Sequence, residues 1–335
     1  MQRYSRLKKL INNPFAVVDE ALEGFVAAHD SVVALAAPRV VVRRVPAGGK
    51  VGFVVGGGSG HEPAFAGYVG VGFADAAACG SVFASPPPDV VLAAIHAANM
   101  GHGVLMSYGN YAGDVMNFGL AMQMAQAEGI DVREVRVADD VASAPRAEAA
   151  KRRGIAGDII VFKCAGASAE RGDSLDDVER IAAKANERTR SMGVALSACE
   201  VPGAGRPTFE LPDGEMEIGM GVHGEPGVRR GPLEPADAVA SALVDAIVAD
   251  FGAASSGEVA LLVNGLGATA VIEQYVLYRG ARRALEAAGM RVARSYVGEF
   301  ITSLEMTGAS VTVTVLDSEL RELLDAPANA ARFRM

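Results

Sequence analysis

Along this chain, short runs of β-branched and other apolar residues alternate with longer stretches in which apolar positions recur every three or four residues. That is the pattern of strands interleaved with helices. Helical spacing starts at Asn13-Pro14 and runs through Val17, Val18, Ala21, Leu22, Phe25 and Val26. Val40–Val45 and Val51–Val55 read as strands, the second buried, and Gly103–Ser107 as a further buried strand. Asp89 is expected to cap a helix through Asn99. Asp114 opens a helix that stops at Gly129, and Ile159–Cys164 reads as another strand. Ser174-Leu175-Asp176-Asp177 resembles a capping box for a helix reaching Met192, ended by Gly193. Beyond it, Val194–Val201, Glu215–Val222, Glu258–Val263, Arg291–Val297 and Val311–Leu316 are strand candidates, with long helices over Ala236–Phe251 and Ala270–Ala288.

This alternation predicts an α/β fold of two α/β domains. Residues 1–190 would form a doubly wound mixed sheet with helices on both faces, and residues 191–335 a smaller sheet with helices.

Composition narrows the class. A chain of 335 residues that is 50% hydrophobic can bury a large core. Its net charge of −9 argues against nucleic acid and anionic membrane surfaces as partners. Cys79, Cys164 and Cys199 are odd in number and far apart, so they read as core residues of a reducing cytosol and not as disulfides or a metal site. The basic start lacks an apolar stretch after it, and no run approaches the length of a membrane span, so a cytoplasmic protein is expected.

The candidate chemistry lies at three places. The strand at 51–55 runs into Gly56, Gly57, Gly58, Ser59, Gly60 and then His61. Glycines there allow close backbone approach, and such a loop at the carboxyl end of a strand exposes N–H groups to a small polar ligand. A plain glycine turn beside a solvated histidine fits the same letters. The spacing is not that of a dinucleotide fingerprint, and no phosphate-binding G-x-x-x-x-G-K-[ST] occurs. Asp114, at a helix start, is either an N-cap or a functional carboxylate, and the helix dipole would keep it ionised and weakly basic. His223 ends a strand between glycines in GMGVHGEPG and is either a turn histidine or an exposed imidazole. His29, His96 and His102 read as structural or solvated.

The stretches GGGSGHEPAFAGYVG, NYAGDVMNFG, GVALSACEVPGAGRPTFELPDGEMEIGMGVHGEPG and VNGLGATAVIEQY together resemble the dihydroxyacetone kinase substrate-binding subunit, from Leu10 to about Asp325. The resemblance implies a homodimer that binds a short-chain ketose covalently, as a hemiaminal on the histidine matching His223. His61 and Asp114 match the family's other catalytic residues, and the backbone of Gly58, Ser59 and Gly60 would line the substrate. It further implies that this chain carries no cofactor or metal, and that adenine nucleotide and Mg²⁺ sit on a separate kinase subunit. A regulatory paralogue that senses the ketose and partners a transcription factor is the alternative. The sequence departs from the family at Gly109, where a lysine is typical, and at Ala112, where a hydroxyl residue is usual. Both losses fit either neutral drift compensated by water or a wider pocket for a larger ketose, such as erythrulose or another four- or five-carbon sugar.

Overall fold

The computed structural model describes residues 8–254 and 256–335. In the first half, α1 (Val17–Ala28) precedes strands β1 (Val33–Ala37), β2 (Val40–Arg43), β3 (Gly52–Ser59), β4 (Gly70–Val71) and β5 (Ala76–Val82). Then come α2 (Pro88–Ala98), β6 (Val104–Gly109), α3 (Ala112–Ala127), β7 (Val132–Val137), α4 (Asp158–Arg171) and α5 (Leu175–Glu187). Six of the strands form one sheet in the order β1-β2-β5-β3-β6-β7, parallel from β5 to β7 with an antiparallel edge at β1 and β2. On one face Val54, Ala78 and Met106 pack against Ile95 of α2 and Phe118 of α3. On the other, Phe53, Val55 and Leu105 pack against α1, α4 and α5.

β3 sits in the middle and is buried at all eight residues. The strand therefore runs on through the three glycines that the sequence placed in a loop. A Cβ on Gly57 would lie 2.4 Å from the Phe65 ring, so the glycine lets an aromatic press onto the strand. The chain turns only at Gly60, whose φ of +97° is costly for a residue with a side chain.

The second half comprises β8 (Thr189–Ser197), β9 (Glu215–Ile218), β10 (Arg229–Pro232), α6 (Ala236–Phe251), β11 (Gly257–Gly265), α7 (Val271–Ala287), β12 (Met290–Gly298), β13 (Thr307–Val315), α8 (Ser318–Asp325) and β14 (Asn329–Ala330). Its sheet also has six strands, ordered β10-β9-β8-β13-β11-β12, so it is not smaller than the first. α6 and α7 cover one face through Leu243, Ile247 and Leu285. On the other face, Leu262 joins the same core as Phe53 and Phe162, so the apolar interior is continuous between the sheets. The last residues return to the first half, where β14 pairs with β4.

Two expected elements are corrected. Ile159–Cys164 is helix, not strand, and lies within α4, which is buried from Asp158 through Ala169. A helix covered on all sides has no polar stripe, so its apolar run carries no period to separate it from a buried strand. The helix begun at Ser174 ends at Glu187, and Gly193 lies inside β8 opposite Ser310. Its polar residues are satisfied by tertiary partners: Thr189 bonds Thr314 at 2.9 Å and Ser191 bonds Thr312 at 2.6 Å. A buried hydroxyl ladder of this kind looks in sequence like the solvated face of a helix.

Capping differs too. Pro87 and Tyr111 occupy the N-cap positions of α2 and α3, and Asp89 and Asp114 lie in the first turns without capping. No helix among the described residues is long and apolar enough to cross a membrane.

Candidate active site

The site forms where the exit of β3 meets the turn that follows β9. His61, 4% exposed, comes directly after the Gly60 turn. The segment 302–304 of the second half fixes this exit: Leu304 N–H donates to Gly60 O at 2.7 Å, and the Thr302 hydroxyl donates to Glu62 O at 2.8 Å. Thr302 O in turn accepts from His61 Nδ1 at 2.6 Å. A carbonyl can only accept, so His61 carries its proton on Nδ1 and presents a bare Nε2.

His223 lies in the turn beyond β9, which ends at Ile218, so it does not itself end the strand. Its Nδ1 lies 3.1 Å from Glu225 Oε1, and its backbone N–H donates to Glu225 Oε2 at 3.0 Å. The carboxylate therefore holds a proton on Nδ1, and Nε2 of His223 points at Nε2 of His61, 3.0 Å away. Two bare lone pairs would repel at that distance. The contact therefore needs a proton between the facing nitrogens.

Burial, helped by the charge of His223, depresses His61 to about 3. Burial would raise Glu225, but the hydrogen bond and charge of His223, with Arg153 behind, outweigh it and hold the carboxyl at about 2. Aromatic rings close the walls. Phe83 stacks on His61 with centroids 5.0 Å apart and meets His223 edge-on at 5.1 Å. Tyr111 meets His223 edge-on at 4.9 Å. Phe83 holds φ at +54°, a left-handed backbone that is rare for a bulky residue and marks strain beside the site.

Asp114 lies in the first turn of α3, near enough to His223 for the charge of that ring to act on it. Its Oδ1 is buried without a hydrogen-bond partner. Burial raises its carboxyl to about 6, against the pull of the Ser85 hydroxyl and of His223. The expected dipole-stabilised weak base is corrected here, because desolvation outweighs the helix terminus.

The structure thus brings His61, His223 and Asp114 together. It also sets Gly58, Ser59 and Gly60 beside them; Ser59 Oγ donates to Gly80 O at 2.7 Å, and Gly60 N–H donates to the Glu62 carboxylate at 3.1 Å. A cleft of about 550 Å³, lined by Phe25, Gly57, Glu62 and Leu304, lies along the same glycine strand, and none of the three candidate side chains lines it. Among the described residues, no group of three or more His, Cys, Asp or Glu side chains is arranged to hold a metal ion. All three cysteines are free and buried.

Residues 23–332 match the Dak1 domain. The chain belongs to the Dak1 domain family. Among its relatives, the dihydroxyacetone-binding subunit of PTS-dependent dihydroxyacetone kinase 2 from Listeria innocua is 44% identical, over 98% of this chain and 100% of the relative. The D-erythrulose kinase of Mycolicibacterium smegmatis is also 44% identical, over 98% of this chain but only 57% of the relative's own length. Among solved structures, the dihydroxyacetone kinase operon co-activator DhaQ superposes with a TM-score of 0.87 at 34% identity, covering 93% of this chain and 97% of its own.

Within this Dak1 chain, sequence reasoning missed the side chains that set up the histidines. Glu225 left a signal, since it lies two residues past His223 on the same turn. Phe83, Tyr111 and Thr302 left none, because only folding brings them to the pair.

Proposed function

We propose that this Dak1 chain is the ketose-binding subunit of a dihydroxyacetone-type kinase, and that it holds a short-chain ketose, dihydroxyacetone or erythrulose, as a hemiaminal on His223. The observation that carries this reading is the 3.0 Å contact between the Nε2 atoms of His61 and His223. His61, a weak base when buried, relays the shared proton only in passing and so frees the Nε2 lone pair of His223. That lone pair bonds to the carbonyl carbon, the carbonyl π pair moves onto oxygen, and His61 returns the proton to that oxygen. The ring then carries a positive charge opposite Glu225. Covalent attachment requires a carbonyl, so a polyol is not held.

Fixing the ketose leaves its terminal hydroxyl to Asp114, whose carboxyl at about 6 is a stronger base than an ordinary aspartate and still ionised at neutral pH. Phosphoryl transfer then depends mainly on positioning and charge stabilisation. The donor, an adenine nucleotide with Mg²⁺, is assigned in this reading to a separate kinase subunit. Two copies of the chain forming a homodimer belong to the same reading. Names among the relatives support both ketoses, since they include a dihydroxyacetone-binding subunit and a D-erythrulose kinase.

The likeness to a co-activator favours a second reading, a sensor that binds ketose without passing it on. A sensor has no use for a buried carboxylate beside the ketose with one oxygen left without a partner, and Asp114 is one. Intact-mass spectrometry after incubation with dihydroxyacetone decides the central claim. An adduct is expected in the unaltered chain and absent in His223→Ala; an adduct that survives the substitution refutes the assignment.

A further inference from the structure

Glu225 uses both carboxylate oxygens on His223, one on Nδ1 and one on the backbone N–H. Behind it stands Arg153, whose Nη1 is 3.7 Å from Glu225 Oε2. Arg153 is itself held by Asp140, whose Oδ2 lies 2.9 Å from Nε and 2.8 Å from Nη2, and it donates to Gly219 O at 3.4 Å. Asp140 is 1% exposed. It follows β7 of the first sheet, and its backbone bridges to Ser191 of β8 in the second. A Cβ on Gly221 would lie 2.2 Å from the Glu225 carboxylate and 2.5 Å from Arg153, so the two charges can meet there only beside a residue without a side chain.

These contacts run in one line from the joint between the sheets to the imidazole. A ring hydrogen-bonded through Nδ1 is fixed in tautomer and in direction, and a flanking anion favours its charged form. We propose that Glu225, braced by Arg153 and Asp140, is the positioning residue that keeps the proton on Nδ1 of His223 and aims its Nε2 at the incoming carbonyl carbon. The inference rests on the ketose-binding reading and adds to it that the aim of the nucleophile is set from the first half of the chain. Because Asp140 and Arg153 lie on the connection between β7 and α4, a change there reaches the chemistry without touching the ketose. The groups that face His223 are His61, Asp114, Phe83 and Tyr111, with Glu225 on Nδ1 and the Arg153–Asp140 pair behind it.

The test uses the full chain with dihydroxyacetone as the probe and follows adduct formation by intact mass as a function of pH. Glu225→Gln is expected to slow adduct formation by about 10- to 100-fold at neutral pH, the usual effect of removing such an outer partner. It should also move the alkaline limb of the rate to lower pH, because the anion that helps to hold the proton shared by the two rings is gone. Arg153→Lys should retain more of the rate than Arg153→Gln. A pH profile unchanged in Glu225→Gln overturns the proposal even if the rate falls, since a merely structural loss would not move the limb. If Glu225→Gln does not fold, the Arg153 pair decides, and equal rates in the two variants overturn it. The ring nitrogen NMR signals of the ketose-free protein separate this claim from the one beneath it. If the unaltered chain forms no adduct, the ketose reading fails, whereas a His223 tautomer that is fixed in the unaltered chain and released in Glu225→Gln still supports the positioning role.

Discussion

His61 and His223 stand 162 residues apart in sequence and face each other through Nε2 atoms 3.0 Å apart. One leaves the central strand of the first sheet, and the other lies in the turn after β9 of the second. Neither half of the chain holds the pair by itself, so the pair exists only when both sheets are joined. A continuous core through Phe53, Phe162 and Leu262 packs the two sheets together.

Asp114 gives a prediction with a pH signature. Asp114→Asn should leave the dihydroxyacetone adduct intact and lower phosphoryl transfer by about 100- to 10,000-fold in a system reconstituted with the nucleotide-bearing subunit. Because burial holds its carboxyl at about 6, transfer by the unaltered protein should fall as the pH drops through 6, where the base becomes protonated. Turnover of the variant within tenfold of the unaltered protein would remove Asp114 from the mechanism.

Gly109 bears on the choice of ketose. The expected wider pocket is not open space, because a Cβ at this position would lie 3.2 Å from the Tyr111 ring and 3.3 Å from Gly154 O. Tyr111, which walls His223, lies against this position. Ala112 is exposed at the start of α3. Gly109→Lys must push the Tyr111 ring and place an ammonium near the ketose, which is worth about 1–3 kcal/mol for a hydrogen bond to a charged group. The ratio of kcat/KM for dihydroxyacetone over erythrulose should rise by about 5- to 150-fold, the same energy expressed as a rate. Measuring both sugars in both proteins checks it, and an unchanged ratio would separate Gly109 from specificity.

Phe162 tests the joint. It sits in α4 with its ring 6.2 Å from those of Phe53 and Phe65. Phe162→Ala should cost about 3–5 kcal/mol, since this packed interior cannot collapse around the cavity. Denaturant unfolding followed by circular dichroism measures the loss; a cost below about 1 kcal/mol would mean that α4 is not packed as described.

Much of the fold was legible from local pattern. α6 and α7, β11 and β12 bury one face or lie between clear turn signals, and a one-sided element writes its period into the sequence. The glycine run and the two histidine motifs were legible for a related reason, since a close backbone approach or an uncrowded imidazole requires particular residues at fixed spacing. The sequence alone therefore determined an α/β chain with His61, Asp114 and His223 as the candidate residues.

Tertiary structure decided the rest. α4 lost its period because it is covered on every side, and the end of α5 was hidden because Thr189 and Ser191 bury their hydroxyls against β13. The carboxyl of Asp114 is set by desolvation, which depends on what packs over it and not on its place in a helix. The proton shared by the histidines, and the Glu225, Arg153 and Thr302 contacts that orient them, depend on distances between segments far apart in the chain. Local propensity carries no information about such distances, and only the packing of the two sheets fixes them.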